Sequence, residues 1–404
     1  MRSCSTCRNS REPGVSGLFK IQTLNSISVR GLERLPRDRY EVASEMIHPD
    51  AILVRSADVH ALEIPPSVLA VARAGAGTNN IPVAKLSQRG IPVFNAPGAN
   101  ANAVKELVLA GIFLAARNIC QAWGYVRALE GDDHALEAAV EQGKKKFVGH
   151  ELPGRTLGVV GLGAIGVEVA NAALGLHMKV LGYDPQITVQ RAWQLSSGVE
   201  QALSLDDLFT RSDVVTVHVP LNDHTRGLVN ASRIELMRPG SSILNFARAQ
   251  IVDEAAVLAG LDSGQLGSYI CDFPTHAVKS HPKVVALPHL GASTGEAEEN
   301  CAIMVADTLR DFLESGNVRH SVNFPEAVLP RAGVSRLAIA NSNVPNMVGQ
   351  ISTCLAEARL NIADLLNKSR GDLAYTLIDT DSPIGADVVG KLRAITGVLS
   401  ARLI

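Results

Sequence analysis

An apolar strand, Thr156 to Val160, runs into Gly161-Leu162-Gly163-Ala164-Ile165-Gly166 and then into a helical stretch, Val167 to Leu174. A GxGxxG pattern alone says little. At a strand-to-helix junction it marks a dinucleotide-binding βαβ unit, and it commits this part of the chain to a parallel sheet. Gly161 allows the tight turn, Gly163 lets the backbone approach a pyrophosphate, and Gly166 lets helix and strand pack closely. Ala164 and Ile165 open the helix, whose free N–H groups and positive dipole end favour phosphate. The next strand ends at Tyr183-Asp184, 18 residues after Gly166. A carboxylate there accepts from ribose hydroxyls. It would also repel a 2′-phosphate about 4 Å away by roughly 4 kcal/mol at an effective dielectric of about 20. That is on the order of a thousandfold in affinity. Pro185, not an Arg, follows Asp184, so the pattern predicts NAD and not NADP.

The fingerprint sits in the second of two α/β series. In the first, apolar runs at Ala51–Val54, Leu69–Ala72 and Ile91–Phe94 each end in turn chemistry. In the second, strands are predicted at 156–160, 180–183, 214–219, 242–246, 268–272 and 284–287. Between the series lie one long helix, about Ala103 to Leu129, and a polar stretch holding Lys144-Lys145-Lys146. Ser204 with Asp207 makes a capping box, and Asp253 caps a helix that Gly264 stops. An amphipathic helix spans Glu296 to Ser315, and the Pro-containing segment 326–334 reads as a linker. Residues 335–404 then read strand, helix, strand, strand, helix, strand, a ferredoxin-like βαββαβ unit. The predicted class is α/β: two doubly wound parallel-sheet domains, Rossmann- or flavodoxin-like, plus this C-terminal unit.

With 404 residues, two or three domains are expected. A net charge of −2 makes no electrostatic case for nucleic acid. The most apolar stretch, Leu107 to Ala116, is far shorter than the roughly 18 to 20 residues of a membrane span. Six scattered Cys suggest reduced thiols and a cytoplasmic protein. Cys4 and Cys7 form a lone CxxC with no second ligand pair, so no metal is expected. Residues 1–18, Arg- and Ser-bearing, are expected to form a disordered leader.

Hydride chemistry needs a group to hold the substrate carboxylate and a group to exchange a proton. In open α/β sheets these lie beyond the carboxyl ends of the strands. Arg248 follows Asn245-Phe246-Ala247, and its planar fork suits a carboxylate. His289 follows Val285-Ala286-Leu287-Pro288, and histidine exchanges protons near neutral pH.

The fingerprint, His218-Val219-Pro220-Leu221, Asn245 to Arg248, and Pro288 to Thr294 together resemble the D-isomer-specific 2-hydroxy-acid dehydrogenases. Arg73 to Ile81 and Asn95 to Asn100 resemble the substrate domain of that family, and the likeness covers roughly Phe19 to Pro325. It implies that Arg248 binds carboxylate and carbonyl and that His289 is the acid/base. It implies that Arg55, Ser56, Gly75, Ala76, Gly77 and Asn100 line the substrate site, with Arg55 on a phosphate. Val219, Pro220, Phe246, Ala247, Asp272, Gly291 and Ala292 would line the cofactor, Asp272 near the nicotinamide amide. It implies a discontinuous substrate domain, 19–117 with 297–325, and a cofactor domain, 118–296.

Residues 335–404 resemble an ACT regulatory domain. That likeness implies an amino-acid effector such as serine at Asn341, Asn343 and Asn361, and a homodimer or homotetramer. The combination implies oxidation of 3-phospho-D-glycerate on the route to serine. Other D-2-hydroxy acids (glyoxylate, hydroxypyruvate or 2-oxoglutarate) are the alternative substrates, and a non-catalytic NAD(H) sensor is the alternative class. Relatives keep a Glu about five residues beyond the position of Asp272, whereas this chain reads Phe273-Pro274-Thr275-His276-Ala277. His289 is therefore expected to rely on another group, Asp272 or a water, with Glu296 and Glu298 the next carboxylates along the chain.

Overall fold

The structure, a computed structural model, describes residues 17–404. Cys4, Cys7 and all but the last two leader residues lie outside the described residues. The chain divides into two compact units, Met1–Ala99 with Glu298–Ile404, and Asn100–Ala297.

The first unit opens with five parallel strands: β1 (Phe19–Leu24), β2 (Tyr40–Ala43), β3 (Ala51–Val54), β4 (Ala70–Arg73) and β5 (Val93–Phe94), in the order β2-β1-β3-β4-β5. Every residue of β3 is buried, which is why its sequence shows no alternation: both faces are covered. Leu53, Ala72 and Phe94 pack with Val305, Leu309 and Phe312 of the helix Gly295–Ser315. Ile52, Val54 and Val71 pack on the other face with Leu86 and Ile91.

The second unit is a seven-stranded parallel sheet: β6 (Thr156–Val160), β7 (Lys179–Tyr183), β8 (Val199–Gln201), β9 (Val214–Val217), β10 (Ser241–Asn245), β11 (Leu266–Cys271) and β12 (Val284–Ala286). Its order, β12-β11-β10-β9-β6-β7-β8, reverses direction between β6 and β9, the switch point where doubly wound sheets bind ligands. The break into this unit falls at residues 99/100, earlier than 117, because the helix Ala101–Arg117 packs Val104, Val108 and Ile112 into the core around β6 and β10. The expected long helix is two, Ala101–Arg117 and Ile119–Arg127, broken where Asn118 turns left-handed at φ 50°. The Lys-rich stretch also gains structure: Asp132 caps a helix over Asp133–Gly143, accepting from Ala135 N–H at 2.9 Å. Ser204 and Asp253 cap as expected, but the Asp207 carboxylate closes its box on the N–H of Leu203, one residue before the cap.

The C-terminal strands β13 (Ser335–Ser342), β14 (Ile362–Arg370), β15 (Leu373–Thr380) and β16 (Val398–Leu403) form an antiparallel sheet in the order β14-β15-β13-β16. Leu337 and Ile339 point into a core with Ile351, Leu355 and Leu392 of its two helices. The alternate residues Ala338 and Ala340, with Tyr375 and Leu377, point the other way and join the core of Leu309, Phe312 and Phe324. The central strands β13 and β15 are thus buried on both faces, and the sheet belongs to the first unit.

Segment 326–334, expected as a linker, is pinned into that junction. Arg336 has no exposed surface and spends all five of its N–H donors there. It grips both oxygens of Asp379 at 2.6 and 2.7 Å and donates to the carbonyls of Ser315, Leu329 and Pro330. Burial pushes the Asp379 carboxyl up, but the bonds from Arg336 and the Ala332 N–H outweigh it and hold the group below its ordinary value.

Candidate active site

Gly161 has φ 90°, and a Cβ there would come within 2.7 Å of the His218 carbonyl. A Cβ on Gly166 would sit 1.9 Å from the Gly161 carbonyl. Both positions therefore exclude side chains. Gly163 differs: nothing lies within 4 Å of where its Cβ would be, so the backbone is open for a ligand to approach. The helix that starts at Ala164 presents its free N–H end there. The same tight turn brings Val219 of the segment after β9 against Gly161. Burial pushes the neighbouring His218 imidazole down to about 4, so it stands neutral at pH 7 beside the Thr216 hydroxyl at 2.9 Å.

Asp184 leaves the end of β7 with one oxygen accepting from Leu162 N–H at 2.8 Å and the other from Gln186 N–H at 2.9 Å. Each oxygen keeps a lone pair for a ribose hydroxyl. The fingerprint loop and the Asp184 carboxylate are thus bonded to each other. These residues fit a bound NAD: an open glycine at the pyrophosphate position, a helix N-terminus behind it, and a carboxylate at the ribose end.

Beyond the ends of β10, β11 and β12, the structure brings Arg248 and His289 together around a ring that sequence reasoning missed. Phe273 lies with its centroid 4.4 Å from that of His289 and 5.4 Å from the Arg248 guanidinium carbon. Each of the two loops is held by a buried polar side chain. Asn245, fully buried, accepts from Ala247 N–H at 3.1 Å and donates to the Arg248 carbonyl at 2.9 Å. Asp272, 1% exposed, accepts from Leu290 N–H at 2.6 Å and Gly291 N–H at 2.9 Å. The backbone N–H of His289 donates to the Asp272 carbonyl at 3.0 Å, and His289 itself adopts a left-handed φ of 55°.

Asp272 is therefore the clamp of the histidine loop, not the partner of the imidazole. Among the described residues no carboxylate bonds to the His289 ring, which lies tilted at 46° against the Phe273 ring. Phe246, expected beside the cofactor, is 7% exposed and sits against Gly111, so its ring is core. Ala247 and Ala292 are partly exposed on the two loops, and the Pro220 carbonyl accepts from the Thr225 hydroxyl at 2.5 Å. A polar residue following the apolar Ile243-Leu244 at the end of its strand was the available signal for Asn245; nothing in the local pattern singled out Phe273.

Arg55, Ser56 and Gly75 to Gly77 lie at the carboxyl ends of β3 and β4 in the first unit. Arg73, missed as a site residue, donates to the carbonyls of Arg55 at 3.0 Å and Gly77 at 2.6 Å. A Cβ on Gly75 would meet its guanidinium at 2.6 Å, which explains the glycine. Asn95 donates to the Ala76 carbonyl at 2.5 Å. Asn100 opens the second unit, its carbonyl accepting from Val104 N–H at 3.2 Å.

In the C-terminal sheet, Asn341 and Asn343 line a cavity of about 150 Å³ with Asn346, Met347, Asn367 and Ala374. Asn361 does not line it; its amide donates to Asp381 at 3.0 Å. Asn367 takes its place, donating to the Thr376 hydroxyl at 2.7 Å, which in turn donates to Asn341 at 3.3 Å.

A dinucleotide fingerprint at the switch point of a doubly wound sheet, with an arginine and a histidine beyond the strand ends, defines an NAD-dependent oxidoreductase. Comparison with known proteins narrows the class. Residues 109–291 match the NAD-binding domain of the D-isomer-specific 2-hydroxyacid dehydrogenases. The D-3-phosphoglycerate dehydrogenase of Haemophilus influenzae is 33% identical over 358 residues, 85% of this chain and 83% of that one. The enzyme of the same name from Escherichia coli K12 is 34% identical over 341 residues, 81% and 79% of the two chains. Among solved structures, NAD+-bound 3-phosphoglycerate dehydrogenase of Entamoeba histolytica superposes with a TM-score of 0.58 at 26% identity, over 75% of this chain and 99% of that one. The chain belongs to the D-isomer-specific 2-hydroxyacid dehydrogenase family.

Proposed function

We propose that this enzyme oxidises 3-phospho-D-glycerate at C2 to 3-phosphohydroxypyruvate, the entry to serine synthesis. The observation that carries the reading is the Arg248–Phe273–His289 cluster beyond the sheet, in a chain whose relatives of that name match over four-fifths of its length. Arg248 binds the substrate carboxylate and the C2 oxygen through its fork. His289 takes the proton of the C2 hydroxyl, held by the Asp272 clamp and the Phe273 face. The fingerprint loop Gly161–Gly166 and Asp184 would hold NAD, which would supply the hydride acceptor for C2. Asp184 orients the ribose, and Arg55 holds the 3-phosphate beside Ser56 and the 75–77 loop. Asn100, Gly291, Ala292 and the backbone of 219–220 and 246–247 complete the lining.

The C-terminal unit serves as an effector domain, with an amino acid such as serine bound by Asn341, Asn343 and Asn367. Asn361, at the far end of β14, contributes only where two copies meet. The enzyme works as a homodimer or homotetramer in the cytoplasm, where its free thiols Cys120, Cys271, Cys301 and Cys354 stay reduced. No helix among the described residues is long and apolar enough to cross a membrane.

NADH formation measured with a panel of D-2-hydroxy acids, with and without serine, tests the reading. Activity is expected with 3-phospho-D-glycerate, and the His289→Asn variant should lose about 10²–10⁴-fold in kcat. Oxidation of non-phosphorylated acids alone would reject the phosphoglycerate assignment, and turnover unchanged in His289→Asn would reject the acid/base role.

A further inference from the structure

We propose that Glu298 is a built-in counter-ion for Arg55 that competes with the substrate's phosphate dianion for this anchor and so tempers how tightly phosphorylated substrates bind. The inference rests on Arg55 being the phosphate anchor and adds a residue that tunes how tightly the anchor holds phosphate. The turn after β3 is rigid. The Arg55 carbonyl accepts from Asn80 at 3.3 Å and from Arg73 at 3.0 Å, and Asn80 also donates to the Ala57 carbonyl at 2.7 Å. With its backbone fixed, Arg55 reaches forward and its Nη2 pairs with Oε1 of Glu298, in the first turn of the helix Gly295–Ser315. The two side chains are 39% and 40% exposed, so the pair can be opened from solvent.

The surroundings make this a charge-balanced site. Arg73 brings a second guanidinium beside the Arg55 turn. Cys301, one turn along the helix, is buried; burial raises its thiol, the two arginines lower it, and Glu298 raises it, so all three charges act on one spot. Two guanidinium groups and one carboxylate leave a single net positive charge. A phosphate dianion supplies more charge than Glu298 and replaces it at Arg55. A 3-hydroxyl supplies none, cannot displace the carboxylate, and leaves the pair closed. Glu298 thereby costs a phosphorylated substrate the opening of an ion pair and costs a 3-hydroxyl substrate nothing.

The test uses the full-length enzyme with the isosteric Glu298→Gln substitution. KM for 3-phospho-D-glycerate and the inhibition constant for inorganic phosphate should each fall by about 2- to 5-fold, the factor an exposed ion pair is worth. KM for D-glycerate should stay where it is, and rising salt should shrink the difference. Arg55→Gln should instead raise KM for the phosphorylated substrate by at least tenfold. Glu298→Ala should repeat the effect of Glu298→Gln, and thermal unfolding near that of the parent would confirm intact folding. If Glu298→Gln leaves KM and phosphate inhibition unchanged, or raises them, while Arg55→Gln weakens binding, Glu298 is only a structural tie and the proposal is overturned. If Arg55→Gln changes neither constant, the phosphate anchor itself is wrong and the proposal goes with it.

Discussion

Asn245 and Asp272 occupy equivalent places at the ends of adjacent strands, and each turns a buried side chain back on the loop that follows. The amides of Leu290 and Gly291 find their acceptors in one carboxylate, so its charge strengthens two bonds at once. Asp272→Asn keeps the volume but turns an N–H₂ donor toward a backbone N–H. It should lower stability by about 1.5–3 kcal/mol, read by thermal or denaturant unfolding. It should also lower kcat by tenfold or more, because the displaced loop carries His289. A stability loss with kcat untouched would show that the clamp does not position the histidine. Arg248, His289 and the fingerprint glycines were legible as residues, because each follows a strand with its own turn chemistry. Phe273 was not. Its role depends on the two aromatic and cationic neighbours that fold around it from other strands.

At the scale of elements, the helix Gly295–Ser315 shows how a boundary is made. Its final carbonyls have no partners within the helix. Those of Phe312 and Leu313 accept from Arg402, that of Ser315 from Arg336, and that of Gly316 from the Tyr375 hydroxyl at 3.0 Å. All three donors come from the C-terminal sheet, and Arg402 also lies 4.1 Å over the Phe312 ring. Two cations at a helix C-terminus complement its dipole as well. Arg402→Met should cost about 2–3 kcal/mol through the lost charge-assisted bonds and the cation–π contact, measured by denaturant unfolding. A change below about 0.5 kcal/mol would mean that water replaces the guanidinium. The strand and helix order was readable along most of the chain, but not the break at Asn118. Apolar periodicity continues through that residue, and only its left-handed backbone reveals the turn.

For the whole molecule, the burial of both faces of the central strands β13 and β15 changes what the unit is. A tethered regulatory domain could be removed with little harm. Here Ala338, Ala340, Tyr375 and Leu377 complete the core around Phe312 and Phe324, and Arg336 ties the segment between them. Truncation after residue 334 is therefore expected to give an aggregating chain with exposed apolar surface, scored by size-exclusion chromatography and dye binding. A soluble, active 1–334 protein would show that the shared core is dispensable. The sequence by itself determined the parallel sheets and the NAD fingerprint, and it singled out Asp184, Arg248 and His289 as candidates. All of these are written in periodicity and turn residues a few positions apart. Only the tertiary structure decided that Asp272 clamps a loop, that Phe273 stands beside His289, that Glu298 pairs with Arg55 and that the linker is tied down by Arg336 and Asp379. Arg55 and Glu298 are 243 positions apart, and Arg336 and Asp379 are 43 apart. Which side chains meet across such separations depends on how sheets and helices pack, and local pattern carries no record of it.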